Sequence, residues 1–189
     1  MTEEQLIKRC KSGDRDAFNE LVLKYQDKVV NMAYGMLSNR EDAFDAAQET
    51  FIKAYRGMGT FAEKSSFNTW LYRILANVCK DMLRKRQRTI KVVSIHDDTD
   101  DDAAPTQIPD TAPTPEEAVE RTALQNEVWQ ALAKLKSEQR DIIVCFDMQG
   151  LSYEETAVAL DCPVGTVKSR LNRARKTLRK ILSENREQN

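Results

Sequence analysis

Three observations predict an all-α fold of two small helical domains joined by a flexible acidic linker. Apolar residues recur at steps of three and four over most of the chain, the period of a helix face laid on a core, and a strand-like run is confined to Ile90–Ile95. Charge is segregated beneath a net of −1: residues 1–88 hold 16 Lys/Arg against 12 Asp/Glu, residues 89–123 hold two against nine, and residues 124–189 hold eleven against nine. The acidic middle contains Asp97, Asp98, Asp100, Asp101 and Asp102, followed by Pro105, Pro109, Pro113 and Pro115. Such a stretch cannot bury enough apolar area to offset its ordering entropy. The expected boundaries are a first domain at 1–88, a linker at 89–113 and a second domain at 114–189.

In the first domain, Asp14 starts a helix whose buried positions include Phe18, Leu21, Val22, Tyr25, Val29, Met32 and Met36. A second helix, 40–56, follows Asn39 and turns Ala43, Ala47, Phe51 and Ala54 inward. Its opposite side carries Asp45, Gln48, Glu49 and Ile52. An isoleucine among carboxylates is either an ordinary exposed aliphatic or one point of a contact surface, and the pattern leaves both open.

A third helix starts near Ser65–Ser66 and runs over 67–88. Phe67, Leu71, Ile74, Leu75, Val78 and Met82 line its core side, and Thr69, Arg73, Asn77, Lys80, Arg84 and Gln87 form an acid-free stripe on the far side. Trp70 and Tyr72 stand at its shoulders. Aromatic rings beside cations suit unstacked bases of single-stranded nucleic acid. The preceding loop from Gly57 to Ser65, polar and with Phe61 in it, could form a pocket for an extruded base.

Thr114-Pro115-Glu116-Glu117 signals the start of the second domain, with helices expected at 115–135, 138–149, 153–161 and 163–184. Ser152 and Glu155 have the spacing of a capping box. The short helix they begin packs through Thr156, Ala157 and Leu160. Pro163 then opens a new helix at a position where a missing N–H costs nothing. From Val164 to Leu182 that helix carries seven Lys/Arg and no acid. Val164, Val167, Leu171, Ala174, Leu178, Ile181 and Leu182 form its apolar stripe. Thr166, Lys168, Ser169, Arg170, Asn172, Arg173 and Lys176 lie on or beside the opposite face. A lone basic helix is usually just a solvated face. A short helix, a turn and a basic amphipathic helix make a helix-turn-helix, whose second helix enters the major groove by its N-terminal residues.

Composition excludes several classes. No apolar run approaches the length of a membrane span, so no stable membrane insertion is expected, and Met-Thr-Glu-Glu-Gln has none of the features of a secretory signal. Four scattered cysteines and a single His96 offer no metal site, no cofactor motif is present, and no catalytic triad or phosphate loop appears. A non-enzymatic cytoplasmic protein is the expectation.

Asp45-Ala-Ala-Gln-Glu-Thr-Phe-Ile-Lys-Ala-Tyr55, Phe67-Asn-Thr-Trp-Leu-Tyr-Arg-Ile74, Leu151-Ser-Tyr-Glu-Glu155 and Asp161-Cys-Pro-Val-Gly-Thr-Val-Lys-Ser-Arg170 occur in this order on the two sides of the linker. Together they resemble an extracytoplasmic-function (group 4) sigma factor of the sigma-70 family, reduced to regions 2 and 4. The resemblance implies an alternative sigma factor that binds core RNA polymerase and directs promoter recognition and melting. It implies that Asp45, Gln48, Glu49 and Ile52 meet the β′ clamp helices, and that the second domain meets the β flap. It implies that Phe61, Trp70, Arg73, Asn77, Lys80 and Arg84 act on the −10 element, and that the helix-turn-helix reads the −35 element as duplex. An anti-sigma factor is the further partner implied, and the linker is expected to pass through the active-site cleft towards the RNA exit channel. Asn172 stands where some relatives carry an aromatic residue, and Phe44 where the family often has an acid. A stand-alone helix-turn-helix regulator is the alternative.

Overall fold

A computed structural model describes residues 1–93 and 125–187, and every regular element among them is helical. The first domain comprises α1 (Glu3–Lys11), α2 (Arg15–Leu37), α3 (Arg40–Gly57) with a 3-10 turn at Met58–Thr60, and α4 (Phe67–Val93). The second comprises α5 (125–133), α6 (Ser137–Ile143) continued by a π turn at Val144–Met148, α7 (Tyr153–Leu160) and α8 (Val164–Glu187). The aspartate run, the linker prolines, His96 and the Thr114 start signal lie outside the described residues.

Side-chain caps fix where the helices begin. Asp14 accepts from the N–H groups of Asp16 and Ala17 at 3.0 and 3.1 Å, and Asn39 accepts from that of Asp42 at 3.0 Å. Each satisfies orphan donors of a first turn, worth about 1 kcal/mol per cap. Helix α1 escaped the sequence reading, although Thr2 and Gln5 form a reciprocal capping box. The Tyr25 hydroxyl then ties α1 to α2 by donating to Glu3 Oε2 at 2.7 Å.

Three boundaries differ from expectation. Helix α4 runs on to Val93, so residues 90–93 continue the helix instead of forming a strand. The helix expected over 138–149 is interrupted after Ile143. There the N–H groups of Gln149 and Leu151 bond back to Val144 O (3.0 Å) and Cys145 O (3.2 Å), and Gly150 takes φ +69°. Pro163 sits just before the first residue of α8, where its carbonyl accepts from Thr166 and Val167.

Leu21, Met32, Met36, Leu71 and Leu75 fill the first core; Leu132, Ile142, Val144, Val167 and Leu171 fill the second. The two cores are continuous. Helix α7 packs along α4, and α6 with its π turn rests on α2. At this seam the rings of Tyr34 and Trp129 meet edge-on at 5.0 Å, and Arg140 donates to Ser38 Oγ at 3.2 Å. Gly35 permits the close approach: a Cβ there would lie 2.8 Å from Val144 Cγ2 and 3.3 Å from the Trp129 ring.

A candidate nucleic-acid and polymerase interface

Helix α8 presents the expected face. Val167, Leu171 and Ala174 are buried on α6 and α7, while Lys168, Ser169, Asn172, Arg173 and Lys176 are exposed and Thr166 is half-buried. The capping box that positions α7 is complete: Ser152 Oγ accepts from the Glu155 N–H at 3.1 Å, and Glu155 Oε2 accepts from the Ser152 N–H at 3.0 Å. Asp161 ends α7 in the left-handed conformation, φ 54°, turning the chain tightly into α8. Lys168 lies 5.4 Å from the Tyr153 ring, which orients its stem at the N-terminal end of the exposed face. Arg170 departs from the group, being half-buried and 3.4 Å from Glu138 of α6. Arg175, which the sequence reading passed over, pairs with Asp147 and covers the Phe146 ring at 5.5 Å, clamping α8 to the π turn.

On α3, Asp45, Gln48, Glu49 and Ile52 are all exposed, Ile52 by 46%. They line a shallow groove whose other wall is the α4 surface around Met82, Arg84 and Arg88. Lys53 lies 3.4 Å from Glu49 one turn along, a surface pair of small energetic value. Phe44 is also exposed, with the Arg40 guanidinium 5.8 Å from its ring centre.

The α4 stripe is divided. Asn77 and Arg84 are exposed, as the sequence suggests. Thr69 is fully buried and donates to Glu155 Oε1 at 3.1 Å, within reach of Ser66 Oγ at 2.6 Å. Arg73 lies 3.7 Å from Asp161, and Lys80 donates to the Leu160 carbonyl at 3.1 Å. Tyr72, expected at a shoulder, is buried with its hydroxyl 3.5 Å from Gln149 Oε1, and burial pushes its pKa up to about 12. The far side of α4 is thus covered in part by the second domain. Phe61 is also not an open-loop contact: it is only 4% exposed, wedged 4.9 Å from Trp70 and 5.9 Å from Phe67 between ring centres, with Trp70 half-buried above it. Aromatic surface in a loop beside a helix start gains more by packing on neighbouring rings than by remaining in water.

Buried charge gathers beneath the seam. Asp141 is displaced upward to about 6, chiefly by desolvation and against the pull of Arg140 and Lys80, and its Oδ1 has no hydrogen-bond partner. Burial raises the Cys79 thiol to about 12 and also holds the Cys145 thiol well above its ordinary value, so neither is a reactive thiolate. Among the described residues no group of metal-ligating side chains is assembled, and no helix is long and apolar enough to cross a membrane.

Residues 21–89 match the family model of sigma-70 region 2, and residues 125–178 match that of sigma-70 region 4. The chain is 37% identical to the RNA polymerase sigma-H factor of Pseudomonas aeruginosa, over 95% of its own length and 93% of that protein. It is 38% identical to the ECF RNA polymerase sigma factor SigW of Bacillus subtilis, over 97% and 98% of the two chains. Among solved structures, the sigma factor RpoE of Bartonella quintana, crystallised with the anti-sigma factor NepR, superposes with a TM-score of 0.71 at 26% identity, covering 88% of this chain and 96% of that one. The chain belongs to the extracytoplasmic-function sigma factors of the sigma-70 family.

Proposed function

We propose that three faces of this alternative sigma factor divide the work of initiation. The exposed α3 group, Asp45, Gln48, Glu49 and Ile52, docks on the β′ clamp helices of core RNA polymerase, and the second domain engages the β flap. The exposed start of α8 reads the −35 duplex through Thr166, Lys168, Ser169, Asn172 and Arg173, with Lys176 on phosphate and Arg170 holding α8 against α6. The α4 stripe, Arg73, Asn77, Lys80 and Arg84 with Trp70, binds the melted −10 strand. Phe61, packed under Trp70, holds the loop in place. The domain limits are 1–88, 89–113 and 114–189, although α4 itself extends beyond the first of these.

The observation that carries this reading is the acid-free exposed face of α8 on a capped helix-turn-helix. Basic side chains there supply salt-dependent affinity through counterion release, and base contacts supply specificity. Two weak readers on one chain, tethered at a reach that fits two promoter elements, multiply their affinities. The protein supplies binding and positioning, and the polymerase supplies the phosphoryl-transfer chemistry, so the chain is no enzyme and works inside the cell. An anti-sigma factor is the expected regulator, as the B. quintana relative is held by one.

Stoichiometric co-purification with core polymerase tests the reading. A stand-alone helix-turn-helix regulator, the competing function, binds its operator without polymerase and does not co-purify.

A further inference from the structure

Helix α1 has no part in the three faces described above, and it lies before the first residue matched by the family model of sigma-70 region 2. Leu6, Ile7 and Cys10 are buried, and Glu3, bonded to Tyr25 and paired with Lys24, fixes its N-terminal end on α2. Those contacts seat the helix; its last residue reaches further. Lys11 is half-buried, forms an ion pair with Glu63, and places its ammonium 5.4 Å from the centre of the Phe61 ring. Both partners belong to the segment between the 3-10 turn and α4, which has no regular structure over 61–66.

Glu63 stands at φ 55°, in the left-handed region, where a residue other than glycine is held by its surroundings. Lys11 supplies such a hold. An ammonium paired with a carboxylate and set over an aromatic face ties the side chains of Phe61 and Glu63 to one point on a helix. It also neutralises an exposed acid on a surface that meets phosphates. Phe61 in turn packs against Trp70, at 4.9 Å between ring centres, so the setting of the loop is passed to that indole.

We infer that Lys11 is a positioning residue for −10 recognition: from the end of α1 it holds the Phe61–Glu63 segment, and through Phe61 the Trp70 ring, in the shape that receives an unstacked −10 base. This role rests on the assignment of the −10 strand to α4 and Trp70. Lys11 itself touches no base. Its effect falls on the discrimination between bases, because a loosened loop still lies beside the phosphates but no longer fits one base better than another.

The test is run-off transcription by reconstituted holoenzyme on promoters randomised over the −10 element, with core-polymerase affinity and duplex −35 binding measured alongside. Lys11→Gln should lower the preference at one −10 base about three- to fivefold, the most that a partly exposed ion pair supplies, and leave the other two readouts unchanged. Glu63→Gln should relax the same base. Lys11→Arg, which keeps the charge, should keep the wild-type preference, and the exchange Lys11→Glu/Glu63→Lys should restore most of it. Restoration sets positioning apart from contact with DNA, because a carboxylate at position 11 attracts no phosphate. Equal loss at every base assigns Lys11 to phosphate binding or to folding and overturns the inference, and so does an exchange that restores nothing. An unchanged −10 profile in Lys11→Gln, where Asn77→Ala alters it, overturns the role of Lys11 and leaves the −10 assignment standing. A profile that neither variant changes removes the assignment and the inference together.

Discussion

Glu155 serves two helices at once: one carboxylate oxygen accepts the Ser152 N–H that caps α7, and the other accepts the hydroxyl of Thr69 on α4, 3.1 Å away. The Ser152 N–H, helped by the Thr69 and Ser66 hydroxyls, holds the carboxyl below the usual glutamate range. A depressed folded pKa contributes stability that is present above about 4.5 and lost as pH falls through the folded value. Glu155→Gln keeps a residue that can close the capping box and removes the titration. Acid-unfolding curves should show wild type losing its advantage over Glu155→Gln below about pH 4.5, and parallel curves would disprove the coupling.

Asp141 has the opposite sign. Its folded pKa of about 6 lies above the ordinary aspartate value of 3.8, so the buried charge costs stability at neutral pH, and that cost is relieved as pH falls from about 6 to 4. Relative to Asp141→Asn, wild type should gain stability on going from pH 7 to pH 4, by at most about 3 kcal/mol for a two-unit shift. Chemical denaturation at the two pH values measures it, and a wild type that loses ground instead would contradict the burial assignment.

Arg173 is exposed on the third turn of α8 and has no ion pair among the described residues. Arg173→Ala should cost about 1–3 kcal/mol of −35 binding and relax preference at one base position. Lys176→Ala, further along the helix, should weaken all sequences alike and lower the salt slope by about one. Competition binding over a set of −35 variants at two salt concentrations separates the two behaviours.

Reversing charge at Asp45 and Glu49 should abolish association with core polymerase while the helical signal in circular dichroism stays intact, because both side chains are exposed on a helix whose inner face is Ala43, Ala46 and Ala47. Polymerase binding that persists in the double variant would move the docking surface elsewhere.

Asn77→Ala should slow open-complex formation on a duplex promoter more than on a template already mismatched across the −10 region, because stabilising an unstacked base favours melting. Equal loss on both templates would leave Asn77 with recognition and no part in melting.

Local signals were legible in the sequence and long-range ones were not. Asp14, Asn39 and the Ser152–Glu155 pair announce three helix starts by chemistry confined to one turn, and the α8 stripe follows from its 3.6 period alone. The Thr2–Gln5 box that starts α1 is a signal of the same local kind. Ile90–Val93, rich in β-branched residues, reads as extended chain in isolation yet continues α4, since propensity is a weak prior against an established helix. The burial of Thr69 and Tyr72 could not be read from α4, because the atoms that cover them belong to residues some eighty positions away. Arg170 is set apart from its neighbours on α8 by Glu138 on another helix, for the same reason.

Run-off transcription with core polymerase on a randomised promoter library tests the central claim most directly. With the chain present, transcripts should start downstream of two sequence elements at a fixed spacing, and selection at the upstream element should change when Arg173 is replaced. No chain-dependent transcript, or library enrichment that is the same with and without core polymerase, would contradict the account.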